Sequence, residues 1–230
     1  MGFSLIEGFF KSIAMIVVSE IGDKTFFVAA LLAMRHSRVT VFSGALGALA
    51  VMTVFSAFFG WAAPNLISRT WTHNGATVLF FLFGLKSLWD GITHEGGESA
   101  ELAEVEAQLK AEGKRDDDAT SRSQKSQKRG GKQQQSFLSK VLSPVFLEAF
   151  TLTFLGEWGD RSQIATIGLA AQENVTGVTL GGILGHTLCT GAAVVGGKHL
   201  ASRISERTVA FCGGILFLIF GVHSLLSGAE

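Results

Sequence analysis

Two short stretches of this chain carry residues that could do chemistry. They read Ser19-Glu20-Ile21-Gly22-Asp23-Lys24-Thr25 and Gly156-Glu157-Trp158-Gly159-Asp160-Arg161-Ser162. Each contains acid, apolar, glycine, acid, base, hydroxyl in that order, and each lies inside a long apolar segment. A carboxylate at the centre of a membrane helix costs about 2.5–3.5 kcal/mol on insertion scales, so such residues face a bundle interior or a water-filled cavity. On one continuous helix Glu20 and Asp23 share a face, as do Glu157 and Asp160. Four carboxylates around one cavity form a hard oxygen site suited to Ca²⁺, Mn²⁺ or Mg²⁺ rather than to softer metals. Acids crowded in a low dielectric also retain protons when no cation neutralises them. A site that holds either a divalent cation or protons is the minimum that an exchanger needs.

The other motif positions suit that chemistry. Gly22 and Gly159 allow close backbone approach or a break in the helix that frees carbonyl oxygens. Thr25 and Ser162 can offer hydroxyl oxygens, or can bond back to the preceding turn. Lys24 and Arg161 cannot ligate a cation. On a helix they point about 100° away from the neighbouring acid, where they pair with a carboxylate, snorkel or form a gate. Gln163 follows the second motif where Phe26 follows the first, so any contribution from it breaks the symmetry between the two. The structural alternative for one such motif is a locked ion pair between helices; a second copy with the same spacing weighs against it. His186 and Thr190 are read as packing groups before cavity-lining ones, and Lys86 and His223 as snorkelling residues.

These motifs need elements that hold them in a membrane. The chain of 230 residues is 47% hydrophobic, with 19 Phe and 28 Gly, and its charges concentrate in the middle. Apolar segments cover residues 9–34, 39–63, 75–92, 145–171, 177–200 and 208–226, each close to the length that crosses a ~30 Å hydrocarbon core. Between them, residues 93–143 form a charged linker, with a short amphipathic helix over 95–112 and a low-complexity run over 116–135 that cannot bury enough apolar surface to order itself. Net charge is zero, which removes the basic balance expected of a nucleic-acid binder. Cys189 and Cys212 show neither metal-finger spacing nor a disulfide framework. No basic n-region precedes the first span, so targeting rests on that span or on a presequence outside this sequence.

The two halves repeat at one constant offset. Glu20 maps on Glu157, Gly22 on Gly159, Asp23 on Asp160, Gly44 on Gly181, Gly84 on Gly221, Ser87 on Ser224 and Leu88 on Leu225. That is an internal duplication. Three spans per repeat make the second enter the membrane from the opposite side, an inverted arrangement shared by many secondary transporters. The expected fold is therefore an all-α membrane protein of six transmembrane helices in two inverted three-helix repeats, residues 1–92 and 144–230. The Arg35/Arg38 loop, the linker and the Lys198/Arg203/Arg207 loop share one side and hold most of the 19 basic residues. By the positive-inside rule that side is cytosolic and both termini are lumenal or external.

The two motifs resemble the paired signatures of the Gdt family of membrane cation/proton exchangers, Glu-x-Gly-Asp-basic-hydroxyl, and the resemblance extends over every span. It implies Mn²⁺ and Ca²⁺ carried in exchange for H⁺, with Glu20, Asp23, Glu157 and Asp160 as ligands and no tightly bound cofactor. Partners are then the two cations, protons and the lipid bilayer, with a homo-oligomer left open. The charged linker is similar to that of Golgi members, which implies a Golgi or related endomembrane location. Two other function classes remain at this point: a divalent cation channel with an acidic filter, and an intramembrane aspartyl enzyme.

Overall fold

The computed structural model describes residues 4–93, 103, 105–107, 143–201 and 204–228. Among these, all regular structure is helical, in eight main helices: α1 Leu5–Glu20, α2 Lys24–Arg35, α3 Arg38–Leu66, α4 Arg69–Thr93, α5 Pro144–Gly156, α6 Arg161–Gln172, α7 Val175–Ala201 and α8 Glu206–Ser227. Of the central segment, residues 103 and 105–107 are helical, and Val105 is buried in the core cluster formed around α2. The rest of the expected amphipathic helix and the low-complexity run lie outside the described residues.

Helices α3, α4, α7 as far as the kink at Gly197 (φ 50°), and α8 are each long and apolar enough to cross a membrane. In the first and fourth apolar segments the motif lies at a break between two helices, one of the two roles open to Gly22 and Gly159, and not within one continuous helix. The cause is local. Gly22 has φ 84° and Gly159 φ 78°, left-handed values that a right-handed helix cannot continue through. In both places the hydrogen bonding follows one pattern: Asp23 N bonds to Glu20 O and Phe27 N to Asp23 O, as Asp160 N bonds to Glu157 O and Ile164 N to Asp160 O. Each aspartate thus sits at the N-cap of a new helix. The expectation that Glu20 and Asp23 share a helical face is overturned by the same break, since the acids belong to different helices.

The molecule is apolar outside and polar within. Phe55, Phe58, Leu82, Leu85, Leu184, Leu188, Ile215 and Ile219 are exposed, while Ser12, Thr53, Ser56, Thr77, Ser87, Thr153, Thr166, Thr190 and Ser224 are buried. A water-soluble chain does not leave so much apolar surface uncovered, whereas a lipid-facing bundle must. Trp61 and Trp71 stand exposed at one end of the α3/α4 pair and Trp89 near the other, where amphipathic rings meet the headgroups.

Close helix approaches depend on missing side chains. A Cβ on Gly181 would lie 2.3 Å from the Phe9 carbonyl oxygen, and one on Gly44 would lie 2.7 Å from that of Phe146. These fix α7 on α1 and α3 on α5. In the same way Gly84 lies under Leu218 and Gly221 under Phe81. Each contact maps onto its counterpart at the offset that relates the two motifs. In the first half of α1, Lys11 pairs with Glu7 at 2.6 Å and with Glu173 at 2.5 Å. The second pair ties the start of α1 to the C-cap of α6.

Candidate cation site

The two helix breaks meet inside the bundle. Glu20 is the last residue of α1 and Glu157 the C-cap of α5; both are buried. Glu20, Glu157 and Asp160 each bring a carboxylate oxygen within 4.8 Å of the other two. The sequence places Glu20 in one motif and the other two acids in the second, so the fold joins what the chain separates. Asp23, expected as the fourth member, is outside this trio. It is half-buried and lines a neighbouring cavity of about 100 Å³ with Ser19, Gly22, Ser87, Asp90 and Arg161. That cavity lies on the side where α4 ends and the linker segment begins.

A difference in capping accompanies this asymmetry. The Asp160 carboxylate accepts from Gln163 N at 3.0 Å and from Ser162 Oγ at 2.8 Å, which fixes its orientation, whereas Asp23 makes no side-chain cap bond to α2. Thr25 reaches across the interface and donates to Glu157 Oε1. Neither motif hydroxyl bonds back to the preceding turn; both serve an acid. The Gln163 amide donates to the Glu157 carbonyl, and its Oε1 accepts from Gly159 N at 3.3 Å. It therefore staples the second break, a role Phe26 cannot fill in the first. Arg161 Nη1 donates to Ser87 Oγ at 3.1 Å on the wall of the larger cavity, and Lys24 opens α2, half-buried.

Four buried polar atoms around the site lack a protein partner: Glu20 Oε1, Glu157 Oε2, Thr153 Oγ1 and His186 Nδ1. Buried polar groups are almost always paired, and each exception needs a reason. Here the exceptions converge on one place. His186, expected to be a packing residue, lines a small cavity with Glu157, Ser162 and Thr166, and its Nδ1 stands 3.8 Å from Glu20 Oε2. Thr190, expected likewise, lines a second small cavity with Glu20, Thr25 and Thr153. Sequence reasoning also passed over Ser87, Asp90 and Thr153. Ser87 carried a signal as the repeat partner of Ser224; Thr153 carried none, because Ile16 occupies its counterpart position.

The family model described as the divalent cation/proton antiporter GDT1 matches residues 8–95 and 145–230, which include both motifs. The chain belongs to this family. Among similar proteins, GDT1-like protein 5 of Arabidopsis thaliana is 61% identical over 227 residues, covering 99% of each chain. GDT1-like protein 4 of the same plant is 59% identical over the same length, again covering 99% of each. GDT1-like protein 3 of Oryza sativa subsp. indica is 49% identical over 225 residues, covering 97% of this chain and 75% of that one. No solved structure matches the chain. GDT1 membership and the apolar helices together make this a multi-pass membrane protein of a cation/proton antiporter family.

Proposed function

We propose that this GDT1-family chain exchanges Mn²⁺ or Ca²⁺ for H⁺, with the cation held between the two motifs by Glu20, Asp23, Glu157 and Asp160. The observation that carries this reading is the carboxylate trio, drawn from separate motifs: one oxygen of each acid lies within 4.8 Å of the others, and the buried Glu20 and Glu157 each keep one unpartnered oxygen. Three such groups in a low dielectric cannot all remain charged and uncompensated. A divalent cation neutralises two charges, and protons do the same, so arrival of one expels the other. Helix ends favour this exchange. Glu20 and Glu157 stand at helix C-termini, where the macrodipole is negative and positive charge is welcome; Asp160 caps an N-terminus, where a carboxylate is stabilised. Thr25 and Ser162 orient the acids, Gly22 and Gly159 place backbone carbonyls beside them, and Gln163 holds the second turn in shape. Asp23 receives the cation in the cavity next to Arg161, which with Lys24 supplies the positive charge of a gate.

In the same reading the helices make six spans in two inverted three-helix repeats, with α1 and α2 together as one broken span and α5 and α6 as another. The reciprocal contacts support it: Phe9 with Gly181 and Phe146 with Gly44 are the pairs a two-fold axis generates, and broken helices at the midplane are where such transporters bind ions. The linker is then cytosolic, the termini lumenal, and the membrane Golgi or related endomembrane.

Transport in liposomes tests the proposal. With Mn²⁺ outside and a pH dye inside, wild-type protein moves Mn²⁺ inward and protons outward, and Glu20→Gln or Asp160→Asn abolishes both fluxes while the protein remains folded. Undiminished uptake by both variants removes the site. Cation flux without proton movement replaces the exchanger with the channel.

A further inference from the structure

We propose that His186 is a further ligand of the transported cation, and that its imidazole nitrogen favours a first-row transition ion such as Mn²⁺ over Ca²⁺ and Mg²⁺. The inference rests on the cation site proposed above and adds a specificity-determining residue from outside both motifs. His186 is on α7, only 3% exposed. Its Nδ1 has no hydrogen-bond partner and faces Glu20 Oε2 at 3.8 Å. That separation is too long for a hydrogen bond. It suits two donors on one ion, because metal–ligand bonds of about 2.0–2.6 Å allow donor atoms to stand up to about 4–5 Å apart.

The placement explains why this nitrogen is buried without a partner. His186 stands on α7 beside Glu20, one member of the carboxylate trio, and the cavity it lines with Glu157 and Ser162 also presents the hydroxyl-bearing Thr53, Ser56 and Thr166. A cation there meets carboxylate, hydroxyl and one imidazole. Ca²⁺ and Mg²⁺ take oxygen ligands, so the imidazole adds little to their binding. Mixed glutamate and histidine sets hold manganese and iron inside helical bundles. One nitrogen donor among oxygens therefore separates ions of the same charge that an all-carboxylate cage would treat more alike.

Pulsed electron paramagnetic resonance on Mn²⁺-loaded protein tests the assignment directly. The echo modulation of bound Mn²⁺ is expected to show a ¹⁴N coupling that changes when histidine is ¹⁵N-labelled. The coupling persists when His36, His73, His94, His199 and His223 are all changed to Gln, and it disappears in His186→Gln. In liposomes His186→Gln lowers the ratio of Mn²⁺ to Ca²⁺ uptake by about tenfold or more, the scale on which altered ligand environments change metal affinity. Bound Mn²⁺ with no nitrogen coupling overturns the assignment, and so does a coupling that survives in His186→Gln. The five-histidine variant keeps the test decisive if His186→Gln does not fold. Nitrogen-coupled Mn²⁺ without proton exchange sinks the transport reading but leaves His186 as a ligand. Proton-coupled uptake with an oxygen-only spectrum does the reverse.

Discussion

Glu157 is fully buried and accepts from Thr25 at one oxygen while the other has no partner. In the proposed reading the unpartnered oxygen is free for a cation, whereas a structural ion pair would place a basic group there. Breaking a buried ion pair by removing one charge destabilises by about 3–5 kcal/mol, whereas replacing one of three crowded acids with its neutral isostere relieves repulsion. Glu157→Gln is therefore expected to lose Mn²⁺ uptake and still melt at or above the wild-type temperature in detergent; a large fall in melting temperature would restore the ion-pair reading. Thr25 offers a gentler probe. Thr25→Val keeps the volume and removes the donor, so the Mn²⁺ concentration for half-maximal uptake should rise by about tenfold or more, with Thr25→Ser close to wild type. At this scale the acids were legible because charges in apolar segments stand out. The Thr25 to Glu157 bond was not, since it joins residues of different halves, and neither was the orientation of His186.

The breaks between α1 and α2 and between α5 and α6 put two glutamates at helix ends and two aspartates at helix starts. Gly22 and Gly159 allow this through positive φ, and their surroundings separate two effects. A Cβ at Gly159 meets nothing within 4 Å, while one at Gly22 would lie 2.8 Å from the Ile204 side chain. Gly159→Ala therefore measures backbone strain alone, about 1–2 kcal/mol. Gly22→Ala adds a steric clash and should cost more. Thermal melting of the two variants in the same detergent checks the order; equal losses would mean that Ile204 moves aside freely. The duplication and the motifs could be read from the chain at one offset, but a glycine inside an apolar run more often serves close helix packing than a break. The sequence therefore leaves close packing and a helix break both open at Gly22 and Gly159. Only the observed turn, with its repeated hydrogen bonds, separates the two acids of each motif onto different helices.

Across the whole molecule, the spaces lined by motif residues are unequal in size. The cavity with Asp23, Asp90 and Arg161, about 100 Å³, lies at the linker end of α4 and the start of α8. The cavities beside His186 and Thr190 are each about 10 Å³, the lower limit for a single water. An exchanger must reverse that inequality once per cycle, which gives a prediction about accessibility. In a chain with Cys189 and Cys212 replaced by alanine, Asp90→Cys should react with a membrane-impermeant maleimide from the linker face, as an exposed Thr93→Cys control does, and saturating Mn²⁺ should slow it severalfold. Ser56→Cys, on the wall of the His186 cavity, should stay unreactive at rest and react from the opposite face only while a pH gradient drives turnover. Labelling of Ser56→Cys from the linker face, or no change under turnover, would mean that the two ends do not open alternately. The tight glycine contacts between halves constrain how this motion occurs: α7 on α1 and α3 on α5 pack on backbone, so opening must come from tilting about those contacts rather than from separating them.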